Sequence, residues 1–176
     1  MTKWGWWLLL LVGPACAPRL PEHQEVLRLQ KEMQELLETQ GPSSSAFLET
    51  ALALVRAEEA FARKYPNHPD VPQFLLEAAE IEATYFGSPA RAVELLRQID
   101  LRFRQKSHLA PKALFYEAFV YENLLSDTTN ARRRYEDFLR YYPDHELAPQ
   151  ARTSLQNLGK TPEQLLEEIV RKKPLP

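Results

Sequence analysis

Apolar residues recur along this chain with the spacing of helices, and nowhere do they alternate over any length as strands require. From Glu22 to Gln40, Val26, Leu29, Met33, Leu36 and Leu37 fall on one face between charged and Gln positions. That three-to-four spacing predicts an amphipathic helix. Gly41 to Ser45 breaks it and offers serines to cap the next helix. Ala46 to Tyr65 reads as a second helix with Leu48, Leu52 and Val55 on one stripe; Glu59 interrupts that stripe before Phe61 and Ala62 resume it. Asp70 is expected to cap a helix running to about Phe86, with Pro72 in the first turn, where no backbone donor is lost. Gly87 closes it, and Ser88-Pro89 opens the next helix, which carries Ala92, Val93, Leu95, Leu96, Ile99 and Phe103. Ala110-Pro111 opens a helix to Leu125, Asp127 caps its return partner, and Tyr142-Pro143 ends it. A last pair begins at Pro149, turns at Gly159 and resumes at Thr161-Pro162-Glu163-Gln164, the form of a capping box, to run to about Lys172. Eight helices with short connections predict an all-α fold of antiparallel helix hairpins stacked side by side.

The stretch from Pro72 to Tyr142 is one unit written twice. Pro72, Ala79, Ala92 and Phe103 recur as Pro111, Ala118, Ala131 and Tyr142 at a period of 39 residues. A fixed period of this size signals a stacked-repeat architecture. The repeated Ala positions let paired helix backbones approach closely, while Leu76, Phe115, Tyr121 and Phe138 fill the space around them.

Composition narrows the reading. A chain of 176 residues has room for one domain with a sizeable core, and only five Gly favour helices. A formal charge of −2 gives no reason to expect nucleic acid. All three Trp and the only Cys lie within the first sixteen residues, so the rest needs no oxidising compartment and tolerates one.

Those first residues read as an address. Met1 to Lys3 is weakly basic and Trp4 to Val12 is apolar, too short to span a bilayer but suited to a signal peptide. An ordinary signal peptidase would use Ala15 and Ala17 but meet Pro18 just after the cut. Gly13-Pro14-Ala15-Cys16 resembles the bacterial lipobox, departing from it at Gly13, where that family prefers Leu. The resemblance implies a signal peptide over residues 1–15, a diacylglycerol and an acyl chain on Cys16, and no other cofactor. With Lys3 removed the formal charge would move from −2 to −3. Several acyl chains would hold the chain at a membrane stably. Ala17 in second place favours, by resemblance to Gram-negative lipoprotein sorting, the periplasmic face of the outer membrane. Residues 16–21 form the lipidated Cys and a Pro-containing tether; residues 22–45 the first helix and its loop; residues 46–173 the repeat domain; residues 174–176 a tail.

Ala118 with Tyr121, followed by Ala131, Tyr135 and Pro143, resembles a tetratricopeptide repeat: small and aromatic positions on one helix, then an Ala, aromatic, Pro series on its partner. The first unit matches less closely, with Glu82 and Leu96 at the two Tyr positions, and the period exceeds the usual 34. The chain is similar to periplasmic repeat lipoproteins of the outer-membrane β-barrel assembly and cell-division coordinator kinds. This implies a right-handed solenoid that binds protein partners, a β-barrel assembly component among them. It also implies no small-molecule substrate.

No catalytic residues are legible: outside Cys16 there is no thiol nucleophile, no Gly-rich phosphate loop and no HExxH spacing. No metal set is expected, because His68, His108 and His145 fall in successive inter-repeat loops, too far apart to share an ion, and read as turn and cap residues. Phe115 and Phe119 are expected to share a buried face, and Tyr116 and Glu117 to be partner contacts. The Arg132-Arg133-Arg134 run reads as a solvated face with Arg134 along a neighbouring helix, or as a contact for an acidic partner or lipid headgroups through Arg132 and Arg133. The first helix is expected to pack on its neighbours; self-association through it would make the protein an oligomerising envelope organiser or an accessory in division, cell-wall or secretion systems.

Overall fold

A computed structural model describes residues 20–172; residues 1–19, Cys16 among them, and the 173–176 tail lie outside the described residues. Eight helices, and no strand, occur among the described residues: α1 (Pro21–Gln40), α2 (Ser45–Lys64), α3 (Val71–Thr84), α4 (Pro89–Phe103), α5 (Ala110–Asn123), α6 (Thr128–Tyr141), α7 (Ala148–Asn157) and α8 (Pro162–Lys172). Each helix from α1 to α6 packs on the next, and α3 also touches α5. The architecture is therefore a helical-repeat solenoid built from consecutive helix hairpins.

Local chemistry explains most boundaries. Gly41 ends α1 with φ +79, its N–H shared by the Leu36 and Leu37 carbonyls. The Ser44 hydroxyl caps α2 by accepting from Phe47 N–H at 3.2 Å, and Asp127 caps α6 by accepting from Asn130 N–H at 3.0 Å. Thr161 and Gln164 exchange bonds in both directions, so the capping box at α8 forms as expected. Asp70 and Ser88 precede helices without capping them through their side chains. Asp70 departs from its expected role because its carboxylate is turned to His23.

The two central hairpins repeat in detail. Ser88 N–H reaches back to the Glu82 carbonyl at 2.9 Å, and 39 residues later Asp127 N–H reaches the Tyr121 carbonyl at 2.8 Å. The residue before each is left-handed: Gly87 at φ +57 and Ser126 at φ +53. Ala79, Ala92, Ala118 and Ala131 are all fully buried, as the repeat register requires. One core runs from α1 into α5 and a second from α5 through α7. Helix α5 divides them, sending Ala113 and Val120 to the first and Leu114, Phe115 and Ala118 to the second.

Val26 and Leu29 of α1 are buried, and Met33, Leu36 and Leu37 pack against the first core. The α1 stripe is thus used on its own neighbours. In α2 the buried line is Phe47, Ala51, Leu54, Val55, Glu58, Phe61 and Ala62, whereas Leu52 is 37% exposed. The expected stripe is out of phase because the buried line runs through a charged residue type: Glu58 occupies an interior position. Glu59 lies beside it and pairs outward with Arg63 and Arg91.

Candidate functional site

The odd-numbered helices share one side of the stack, and their side chains build a continuous surface there. At its centre Tyr116 and Phe119 of α5 stack, ring centroids 5.9 Å apart at 29°. With Phe115, Leu147, Gln150, Glu80 and Lys112 they line a shallow groove of about 300 Å³ that is mainly apolar. Lys112 closes one edge by pairing with Glu80 of α3 at 2.9 Å. A second recess, bounded by Met33, Glu77, Thr84, Tyr85 and Tyr116, continues the surface toward α1. Burial, reinforced by the Glu80 charge, raises the Tyr116 phenol and keeps it a neutral donor.

This arrangement corrects two expectations. Phe119 is 38% exposed and leaves Phe115, which packs edge-on against Tyr135 and Phe138 in the core. One hundred degrees of rotation per residue lets Phe115 point inward, whereas Phe119 falls at the rim beside Tyr116. Glu117 is not a surface contact. It is 2% exposed and pairs with the Arg134 guanidinium, which also reaches Asp100 at 3.2 Å and Asp137 at 3.3 Å. Thirty-nine residues earlier the same positions are Ala78 and Leu95, both fully buried. The second unit therefore replaces an apolar pair by an ion pair inside the same packing plan. Arg132 and Arg133 are exposed, and Arg134 is the member of the run that lies along neighbouring helices.

Beneath the α1 end of this surface sits a carboxyl cluster. Gln30 of α1 donates to Glu77 of α3 at 2.6 Å, leaving Glu58 of α2 fully buried, with neither oxygen in a well-formed hydrogen bond. Burial, then repulsion from Glu77, pushes the Glu58 carboxyl up to about 10, and burial raises Glu77 as well. Glu58 is therefore a neutral acid at physiological pH.

The inter-repeat loops lie along one edge. His68 Nδ1 accepts from Asp70 N–H at 3.3 Å and His145 Nδ1 from Leu147 N–H at 3.2 Å, so both are turn-capping residues as expected. In the middle loop the same bond is made by the Ser107 hydroxyl to Leu109 N–H at 3.1 Å. Ser107, not His108, is thus the structural counterpart of the two histidines. Sequence reasoning also missed His23. The start of α1 lies against the α2–α3 loop, where His23 Nε2 meets Asp70 Oδ2 at 2.6 Å and the His23 and His68 rings stand 5.4 Å apart. Forty-five positions separate the two histidines, and no spacing rule connects them.

Comparison with known proteins finds no matching family model, curated protein or solved structure. No helix among the described residues is long and apolar enough to cross a membrane.

Proposed function

We propose that this chain is a non-enzymatic scaffold of the tetratricopeptide-repeat kind. Lipid on Cys16 would anchor it at the periplasmic face of an outer membrane, where it binds a segment of a partner protein on the odd-helix surface. The observation that carries the reading is the Tyr116–Phe119 stack, in which a half-buried Tyr116 supports the exposed Phe119 ring. Glu77 and Glu80 stand at the same helical positions one repeat earlier, so repeat packing does not require aromatic residues there. Stacked rings beside Leu147, rimmed by the Glu80–Lys112 pair, form an apolar anchor site with a polar edge, the anatomy of a binding hot spot. The occupant that fits is a short polypeptide segment presenting one large apolar side chain. The N-terminal pattern supports the address, and the resemblance supports a role in outer-membrane protein assembly.

Site-specific photocrosslinking tests the reading. A photoreactive residue at position 119 of the full chain, produced in a Gram-negative envelope, should give a discrete adduct absent from position 101. Leu101 is 68% exposed on α4, outside the groove, and serves as the control. Tyr116→Ala should weaken the adduct, and Cys16→Ala should release the chain from the membrane fraction. Equal adducts from both positions would refute the groove, and unchanged membrane retention of Cys16→Ala would refute the anchor.

A further inference from the structure

The edge of the first repeat contains a side-chain constellation that the repeat plan does not require. We propose that His23, His68 and Asp70 form a binding site for a late first-row divalent cation, of which Zn²⁺ is the best match. One ligand atom from each residue lies within 4.8 Å of the others. His23 Nε2 is 2.6 Å and His68 Nδ1 3.8 Å from Asp70 Oδ2. Tetrahedral zinc, with bonds of about 2.0–2.1 Å to imidazole and carboxylate, places its ligand atoms roughly 3.4 Å apart. The closest pair must open and the farthest must close, both within reach of side-chain rotation. Two imidazoles and one carboxylate suit zinc better than calcium or magnesium, which prefer oxygen.

Comparison of the three loops separates this set from ordinary turn chemistry. Each loop has a residue that caps the turn: His68, Ser107 or His145. Two places further on stand Asp70, Leu109 and Leu147. A carboxylate at that place is not needed by the turn, and Asp70 does not cap α3. Only in the first loop is the acid present, and only there does a second imidazole arrive from another helix. The His23 ring is held by Phe61 and Phe74, with centroids 5.5 Å away in each case, so it is placed by packing rather than left to swing. Outside the set a cleft of about 1050 Å³, bordered by His68, Asp70 and His108, leaves room for water as a fourth ligand.

Binding requires the His23 Nε2 lone pair, so any proton shared with Asp70 leaves Nε2 when the cation arrives, and His68 Nδ1 gives up its long bond to Asp70 N–H. The ion would tie α1 to the α2–α3 loop, joining the two ends of the first hairpin.

The test is a Zn²⁺ titration of the full, untagged chain in detergent after chelator treatment, in a Cys16→Ser background that removes the only thiol. One equivalent should bind, and the melting temperature should rise by about 5–10 °C at a hundredfold excess over Kd. His23→Gln and His68→Gln should each weaken binding by about tenfold or more, while His145→Gln leaves it unchanged. Asp70→Asn, which keeps a hydrogen-bond acceptor for His23, supplies the same comparison should a histidine variant lose its helical circular dichroism. Absence of saturable binding would overturn the site, as would binding unchanged in the His23, His68 and Asp70 variants.

Discussion

Glu58→Gln should stabilise the protein at neutral pH and flatten its stability against pH. The carboxyl is fully buried among α1, α2 and α3, beside Glu77, and its folded pKa is raised from 4.5 to about 10. In the unfolded chain it ionises near 4.5. Between those values the folded state holds a proton that the unfolded state has released. Stability is therefore complete below about pH 4.5 and declines as pH rises through the window. At about 1.36 kcal/mol per unit, protonating the group at pH 7 costs roughly 3 kcal/mol, and at pH 8 roughly 5. Glutamine removes that cost and can donate an amide proton to Glu77; any of its polar atoms left unpaired takes back about 1–3 kcal/mol. The net gain at pH 8 is then roughly 2–4 kcal/mol, turning into a net loss of roughly 0–2 kcal/mol at pH 5. Chemical denaturation followed by circular dichroism at the two pH values measures it. Glu77, raised in the same direction, leaves the variant some residual slope. A difference between variant and wild type that does not change with pH would refute the reasoning.

Three further substitutions probe the repeat. Ala118→Leu should destabilise by about 1–3 kcal/mol, seen as a lower melting temperature, because the fully buried Ala118 leaves no room for three more carbons. Ser126→Gly should raise stability by up to about 1 kcal/mol in denaturant titration, since Ser126 holds the left-handed conformation that Gly87 adopts one repeat earlier. Glu117→Ala should cost about 1–3 kcal/mol by removing one buried acceptor from the Arg134 guanidinium, which keeps Asp100 and Asp137, whereas Glu117→Ala combined with Arg134→Leu, the residues of the first unit, should recover most of that loss, because Asp100 retains Arg104. A double variant as unstable as the single would show that the first unit's apolar solution does not transfer.

The architecture is legible because repeat packing writes itself into the sequence with a fixed period. Pro72 and Pro111, Ala79 and Ala118, Ala92 and Ala131 have to be small or rigid where backbones meet, and all six occupy equivalent buried or helix-start places. Departures from residue-type rules stay hidden. A glutamate at 58 looks like a surface residue, so a stripe drawn from residue types alone runs around it. Glu117 looks like a contact because nothing in the sequence announces that Arg134, seventeen residues away, turns inward to meet it. The His23–His68–Asp70 set combines a helix start with a distant loop, and only the packing of α1 brings them together. Among the candidate partner contacts, Tyr116 lines a groove beside Phe119, which residue type alone assigns to the core.

These departures have a common form. Where the two central units agree, the shared residues serve packing: small residues at the helix crossings, large apolar ones around them, and a left-handed residue before each return helix. Where they differ, the difference is not demanded by the fold, because the sister unit folds without it. Glu77 and Glu80 give way to Tyr116 and Phe119 on the open side of the stack, converting a charged face into an apolar one. The loops exchange Leu109 and Leu147 for Asp70 only where His23 is within reach. The Ala78–Leu95 positions become Glu117 and Arg134, which neutralise each other and stay inside. The first two exchanges alter what the molecule presents to solvent, and the third does not. Binding is therefore to be sought at Tyr116–Phe119 and at the His23 cluster, and the buried ion pair read as a variation on packing.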